Sequence, residues 1–276
     1  MQPPINVLSL FPVLDNHLLT FLRNLSAEDW QKQTVAKKWV VKDVAAHMLD
    51  TRIRQISIRR DNWAPPPNVP IRNNEELVDY LNTLNADWVK AAKRLSPALL
   101  IELLQGAGQI GNILLGELDP FGPAIYSVSW AGETFSYNWF DIAREYTEYW
   151  HHQQQIRDAV GNRDILTKEL YHPVLDIFLY AWPFAASSIS APEGTVLKTT
   201  ITGNGGGEWF LKRASDEWLL SAENNSKIAA ETIIDGDVAW TLFSKSVRKE
   251  DIPGKFEIKG DQQLGNIVLD MISVMA

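Results

Sequence analysis

An all-α helix bundle followed by a small α+β domain is the fold class that this 276-residue sequence predicts, and three observations carry it. Up to about residue 190 the apolar residues recur at three- and four-residue spacings, the period of amphipathic helices. From Ala191 the period changes: Thr195 to Thr202 alternates, and Gly203-Asn-Gly-Gly-Gly207 is a hairpin signal. Between them, Ala191-Pro192-Glu193-Gly194 breaks the chain and sets the boundary between domains 1–190 and 191–276.

The first helix is expected over residues 10 to 25, where Phe11, Leu14, Leu18, Phe21, Leu22 and Leu25 share a stripe. A second runs from Val41 to about Arg59, with Val44, His47, Met48, Ile53 and Ile56 on one side, so His47 points inward. Residues 61 to 72 hold Pro65, Pro66, Pro67 and Pro70 and form a loop suited to the rim of a pocket. Asn73-Asn-Glu-Glu76 opens a third helix to Leu95, and Ser96-Pro97 a fourth to Leu118. The GAGQIG run inside the fourth follows a helical pattern instead of a strand, which argues against a nucleotide fingerprint. Tyr126 to Trp130 is a short strand or extended loop. Asn138 to Ala159 is the longest clean helix, stopped by Gly161, and a further helix is expected from Thr167 to about Ser188. In the second domain, strands are expected at Glu208–Lys212, Trp218–Ser221 and Lys255–Lys259. Short helices are expected at Lys227–Ile234 and Gly236–Val247, and a last helix ends at Met275.

The long helix carries the chemistry. Glu148 and His152 lie four residues apart, which puts their Cβ atoms about 5–6 Å apart on one face, close enough for both to lean onto one divalent cation. The inward stripe is read as Ile142, Glu145, Tyr149, His152 and Ile156, with Glu148 at its edge. Carboxylate and imidazole on a core-facing stripe cost several kcal/mol unless paired or bound to a cation. His47 is the best third donor, with Asp43 and Asp50 as possible supporting acids. Glu145 is a substitute ligand, or simply a first-turn acid. His151 is turned about 100° from His152 and is expected to face solvent or a helix neighbour, and His172 is expected to be exposed.

Composition narrows the classes. Hydrophobic residues make up 45% and charged residues 22% of an ordinary globular chain, with a net charge of −8 that disfavours nucleic acid. No apolar run is expected to span a membrane, and the N-terminus has no signal-peptide pattern, so a cytoplasmic protein is expected. With no cysteine, any metal must use nitrogen and oxygen donors.

At this point the motifs look familiar. WVVKDVAAHML resembles W-x-V-x-D-V-x-x-H-L, and EYWHHQQQIRDAVG resembles E-x-x-x-H-x-x-D-I-R-x-A-x-G, of DinB-like bundle proteins of the mycothiol-dependent maleylpyruvate isomerase type. DGDVAWTLFSK followed by GKFEIKGDQQLGNIVLDM resembles that family's sterol-carrier-like C-terminal domain. The resemblance implies that His47, Glu148 and His152 are ligands of a divalent metal such as Zn or Ni. It further implies a low-molecular-weight thiol such as mycothiol as cofactor, and an isomerase or transferase acting on a small electrophilic acid. Two positions depart from the pattern. Gln155 stands where the motif has Asp, and Ser244-Lys245 stands where the family has Gly-Arg, leaving Lys245 to hold a substrate carboxylate without an arginine's fork. Two other readings stay open: a non-enzymatic module enclosing an apolar ligand, and a family member whose metal site is purely structural.

Overall fold

The computed structural model describes residues 2–221 and 227–274. Helix α1 (Leu10–Arg23) buries Phe11, Leu14, Leu18 and Leu22, one stripe of a 3.6-residue repeat. Helix α2 (Val41–Asp61) starts where Val40 is still extended and the Asp43 carboxylate accepts the Val40 N–H at 3.3 Å. It stops at Asn62, whose left-handed φ of 52° ends the repeat just before the prolines. Asn73 caps α3 (Asn74–Ala92), accepting from the Glu76 N–H at 2.9 Å. Ser96 caps α4 (Pro97–Gly116) in the same way through Leu99, with Pro97 in the first turn. Helix α5 (Asn138–Ala159) matches its expected limits.

The chain divides into two compact units. One comprises Met1–Gly122 with Glu148–Arg163, the other Pro123–Thr147 with Asp164–Ala276. Helix α5 contributes its first part to the second unit and its remainder to the first.

In the first unit α4 packs on α1 and α2, and α2 on α3. The Trp88 indole N–H donates to Ala46 O at 2.7 Å, while from α5 the Gln153 amide reaches Leu14 O and the Arg157 guanidinium reaches His17 O. Four helices meet at Asp15. Its carboxylate accepts from the Tyr149 hydroxyl at 2.5 Å and the Asn112 amide at 2.6 Å, and Arg52 Nη2 lies 3.7 Å away. The Arg52 guanidinium also lies 4.0 Å from the centre of the Tyr149 ring. Two glycines make room for this knot: a Cβ on Gly108 would come 2.9 Å from Asp15 Oδ2, and one on Gly111 would come 3.4 Å from Arg52 Nη1.

The second unit adds helices α6 (His172–Phe178) and α7 (Ala181–Ala185) to a mixed sheet. Its described strands are β1 (Val196–Ile201), β2 (Gly207–Arg213), β3 (Trp218–Ser221), β4 (Ile228–Ile234) and β5 (Phe256–Gly260), in the order β3-β2-β1-β4-β5. Only the β1–β4 pairing among them is parallel. Helix α8 (Gly236–Phe243) is capped by Asp235, and α9 (Gln262–Asn266) by Asp261. The buried Tyr171 hydroxyl donates to Gly236 O and accepts from the Trp240 N–H, which anchors α8. The all-α bundle followed by a small α+β domain is therefore the observed fold class.

Three elements differ from expectation, and at Tyr126–Trp130 the loop alternative is the one observed. Lys227–Ile234 is not a helix: Ala229-Ala230-Glu231 favours one locally, but residues 228–234 pair with β1 on one side and β5 on the other, and pairing overrides propensity. Thr167–Ser188 is not continuous, because Pro183 has no N–H to give Leu179 and the chain restarts as α7. Tyr126–Trp130 forms no described strand and ends in a 3-10 turn at Ser129–Ala131. The final helix stops at Asn266 and passes into a 3-10 turn, Ile267–Asp270; Met275 lies outside the described residues.

Replacing Asp15 with alanine leaves the Tyr149 hydroxyl, the Asn112 amide and the buried Arg52 without their shared acceptor. The expected loss is roughly 3 kcal/mol of unfolding free energy, read as a lower urea midpoint with an unchanged m-value.

Candidate metal centre

The residues singled out in the sequence fall into three places. His47 on α2 and Glu148 and His152 on α5 belong to the first compact unit. His47 is 6% exposed, and its ring centre lies 4.7 Å from that of His152, edge to face at 86°. Glu148 Oε2 lies 3.8 Å from His152 Nε2. Trp39 also contacts His47, ring centres 4.9 Å apart and tilted at 44°. Among the described residues, the Nδ1 of His47 is buried with no hydrogen-bond partner. Burial, followed by the neighbouring His152 and Arg54, lowers the His47 pKa from 6.5 to about 2, so its ring is neutral and has a lone pair to offer.

Gln155 organises the two adjacent imidazoles. Its Oε1 lies 3.0 Å from His152 Nδ1, and its Nε2 lies 3.2 Å from His151 Nε2. An amide oxygen only accepts, so His152 carries a proton on Nδ1, and in the neutral ring the lone pair is then on Nε2, the nitrogen facing Glu148. The amide nitrogen only donates, which leaves His151 protonated on Nδ1. The i, i+3 and i, i+4 spacings from His152 and His151 carry this signal in the sequence, where Gln155 had stood out only as a missing carboxylate.

Other candidates have different roles. His151 is buried, 6% exposed, with burial and then His152 holding its pKa well below the usual imidazole value; its neighbour is Gln155, not solvent. His172 is half-buried beside Lys168 and Trp209. Asp43 serves as the α2 cap, and Asp50 pairs with Arg54 at 3.0 Å, its pKa raised by burial and opposed by Arg54. Glu145 lies in the second unit, 2.6 Å from the Arg144 guanidinium. Lys245, also in the second unit, is exposed just beyond α8 with a left-handed φ of 58°. Among the described residues no group of three or more His, Cys, Asp or Glu is close enough, as it stands, to enclose a metal ion.

Residues 12–157, more than half of the chain, match the family described as the mycothiol maleylpyruvate isomerase N-terminal domain. The chain belongs to that family. Two solved structures of the mycothiol-dependent maleylpyruvate isomerase, one of a histidine-to-alanine mutant, share its fold. They have 11% and 10% sequence identity to this chain, each with a TM-score of 0.53 over 87% of this chain and 88% of theirs. No curated protein matches. The mycothiol maleylpyruvate isomerase N-terminal match encloses His47, Glu148, His152 and Gln155, and stops well before Lys245.

Two outcomes are expected of metal-stripped protein. Nitrogen-15 NMR should find His152 protonated on Nδ1, and Gln155→Leu should populate the Nε2–H form while removing a buried hydrogen bond of about 1 kcal/mol. Because the folded pKa of His47 lies below that of the unfolded chain, the unfolded chain binds the extra proton between pH 6.5 and about 2. Stability should therefore fall as pH drops through that window, by about 1.4 kcal/mol per unit from this group. In His47→Gln that share of the slope should vanish from urea midpoints compared at pH 7 and pH 5.

Proposed function

We propose that this family member is a divalent-metal-binding enzyme that uses a low-molecular-weight thiol, of the mycothiol class, to isomerise or transfer to a small electrophilic acid. His47, Glu148 and His152 are the proposed ligands. The observation that carries the reading is the placement of two imidazoles and one carboxylate side by side in a half-closed setting, with the lone pair of His152 turned to Glu148 by Gln155. The residues fit a cation in donor type: nitrogen and oxygen only, as zinc, nickel or cobalt accept. They fit also in burial, since the bare Nδ1 of His47 is the kind of atom a ligand would satisfy. Because the two rings pack edge to face, binding must turn at least one of them. A cation held there would lower the pKa of a thiol or water it binds toward neutrality.

The chain's own contribution is positional. Gln155 fixes the tautomer of His152, Trp39 shields His47 from water, and the absence of cysteine requires the nucleophilic sulfur to come with the cofactor.

Titrating cobalt or nickel into metal-stripped protein should quench the Trp39 fluorescence, and elemental analysis of untreated protein should find about one divalent ion per chain. His152→Ala should abolish both signals. Protein isolated without metal, whose stability and fluorescence are the same with and without His152, would sink the proposal.

A further inference from the structure

Helix α4 has an outer face that none of the described residues covers. Leu99, Leu103, Ile110 and Ile113 are 42%, 41%, 38% and 62% exposed, and with Gly106 between them they follow spacings of four, three, four and three residues. That is the heptad seam of one helix packed along another. The seam is also nearly symmetric about Gly106, so turning it end for end brings Leu99 opposite Ile113 and Leu103 to within one residue of Ile110.

The glycine makes the point independently. Gly108 and Gly111 are excused by Asp15 and Arg52, but a Cβ on Gly106 would meet nothing within 4 Å. A mid-helix glycine costs about 1 kcal/mol relative to alanine, and inside one chain nothing offsets that cost. At the centre of an antiparallel helix pair it would let two backbones approach closely, as small residues do at other tight helix crossings.

We propose that α4 is a homodimer surface, joining two copies antiparallel about a two-fold axis at Gly106. Charge fits this occupant. Glu102 comes within one residue of the partner copy's uncharged Gln109, and Glu117 comes to the start of the other α4, where the exposed Lys93 and Arg94 precede the helix. Opposed helix dipoles add to the fit. A lipid surface fits less well: α4 is apolar and long enough for a membrane span by composition, yet it carries no Lys or Arg, and Leu100, Leu104, Ala107, Gly111 and Leu115 are buried inside the chain. The seam from Leu99 to Ile113 is about 21 Å long, at the small end for a specific interface, so the dimer is reversible.

Sedimentation of the full chain over a concentration series should show a mass rising from one chain toward two. Ile110→Asp should abolish the rise without altering the circular dichroism. Gly106→Leu should also abolish it while raising the melting temperature, because the lone helix gains from losing its glycine. The chain has no native cysteine, so single cysteines report the geometry. Gly106→Cys, on the axis, should oxidise to a covalent dimer, whereas Leu99→Cys, about 21 Å from its symmetry mate, should not. A chain that stays monomeric up to about 1 mM overturns the proposal, as does cross-linking at residue 99 but not 106. Binding of the monomer to anionic vesicles, lost in Ile110→Asp, would assign the face to a membrane and overturn it equally.

Discussion

The carboxylate of Asp15 is the constraint on which the first compact unit depends. It lies on α1 and gathers a tyrosine hydroxyl from α5, an amide from α4 and a guanidinium from α2. A buried charge is tolerated only when it is surrounded in this way, and the arrangement then has little freedom, because each partner that moves leaves another unsatisfied. The consequence reaches the candidate centre through helix geometry alone. His152 lies one turn beyond Tyr149 on α5, and His47 lies five residues before Arg52 on α2. Pinning Tyr149 over Arg52 therefore fixes where the two imidazoles meet.

Most of the helical fold could be read from the sequence because its helices announce themselves twice, by an apolar stripe and by a cap. Ser96-Pro97 and Asn73 illustrate this; each accepts the backbone N–H that its type is suited to accept. The misreadings have different causes: Pro183 breaks the Thr167–Ser188 helix locally, whereas one strand is decided by its tertiary partners. Residues 228–234 carry a helix-favouring Ala-Ala-Glu, and only the neighbouring β1 and β5 decide that they form a strand. Tertiary partners are invisible to a window of ten residues.

Legibility of the site followed the same division. The Glu148–His152 spacing is a property of one helix and was open to arithmetic. Adjacency of His47 to His152 needed the packing of α2 on α5; the place of His47 well inside another amphipathic helix pointed to it, and the motif resemblance matched the same residue. The burial of His151 was half legible: a turn of about 100° from His152 left solvent or a helix neighbour open, and the structure buries the ring against Gln155 of its own helix. Gln155 was misjudged for a chemical reason. Compared with the family motif it is a carboxylate lost, yet an amide both accepts and donates, and this one has two imidazoles to serve.

That substitution has a consequence for the chemistry the centre can support. A carboxylate behind a histidine ligand draws on the Nδ1 proton strongly and makes the far nitrogen more basic, whereas a neutral amide oxygen orients the ring with less electronic push. If the proposed cation binds there, it would be held somewhat less tightly than one backed by aspartate, and would be left the more acidic. For a site whose proposed task is to make a thiolate at neutral pH, that change acts in the useful direction. Weaker ligation and a stronger Lewis acid come from the same exchange. With Asp at 155, the group facing His151 Nε2 would be an acceptor instead of a donor, and His151 would have to move its proton. Gln155 and the buried His151 are thus coupled: the amide is the side chain of this length that satisfies both rings without adding a charge to the core.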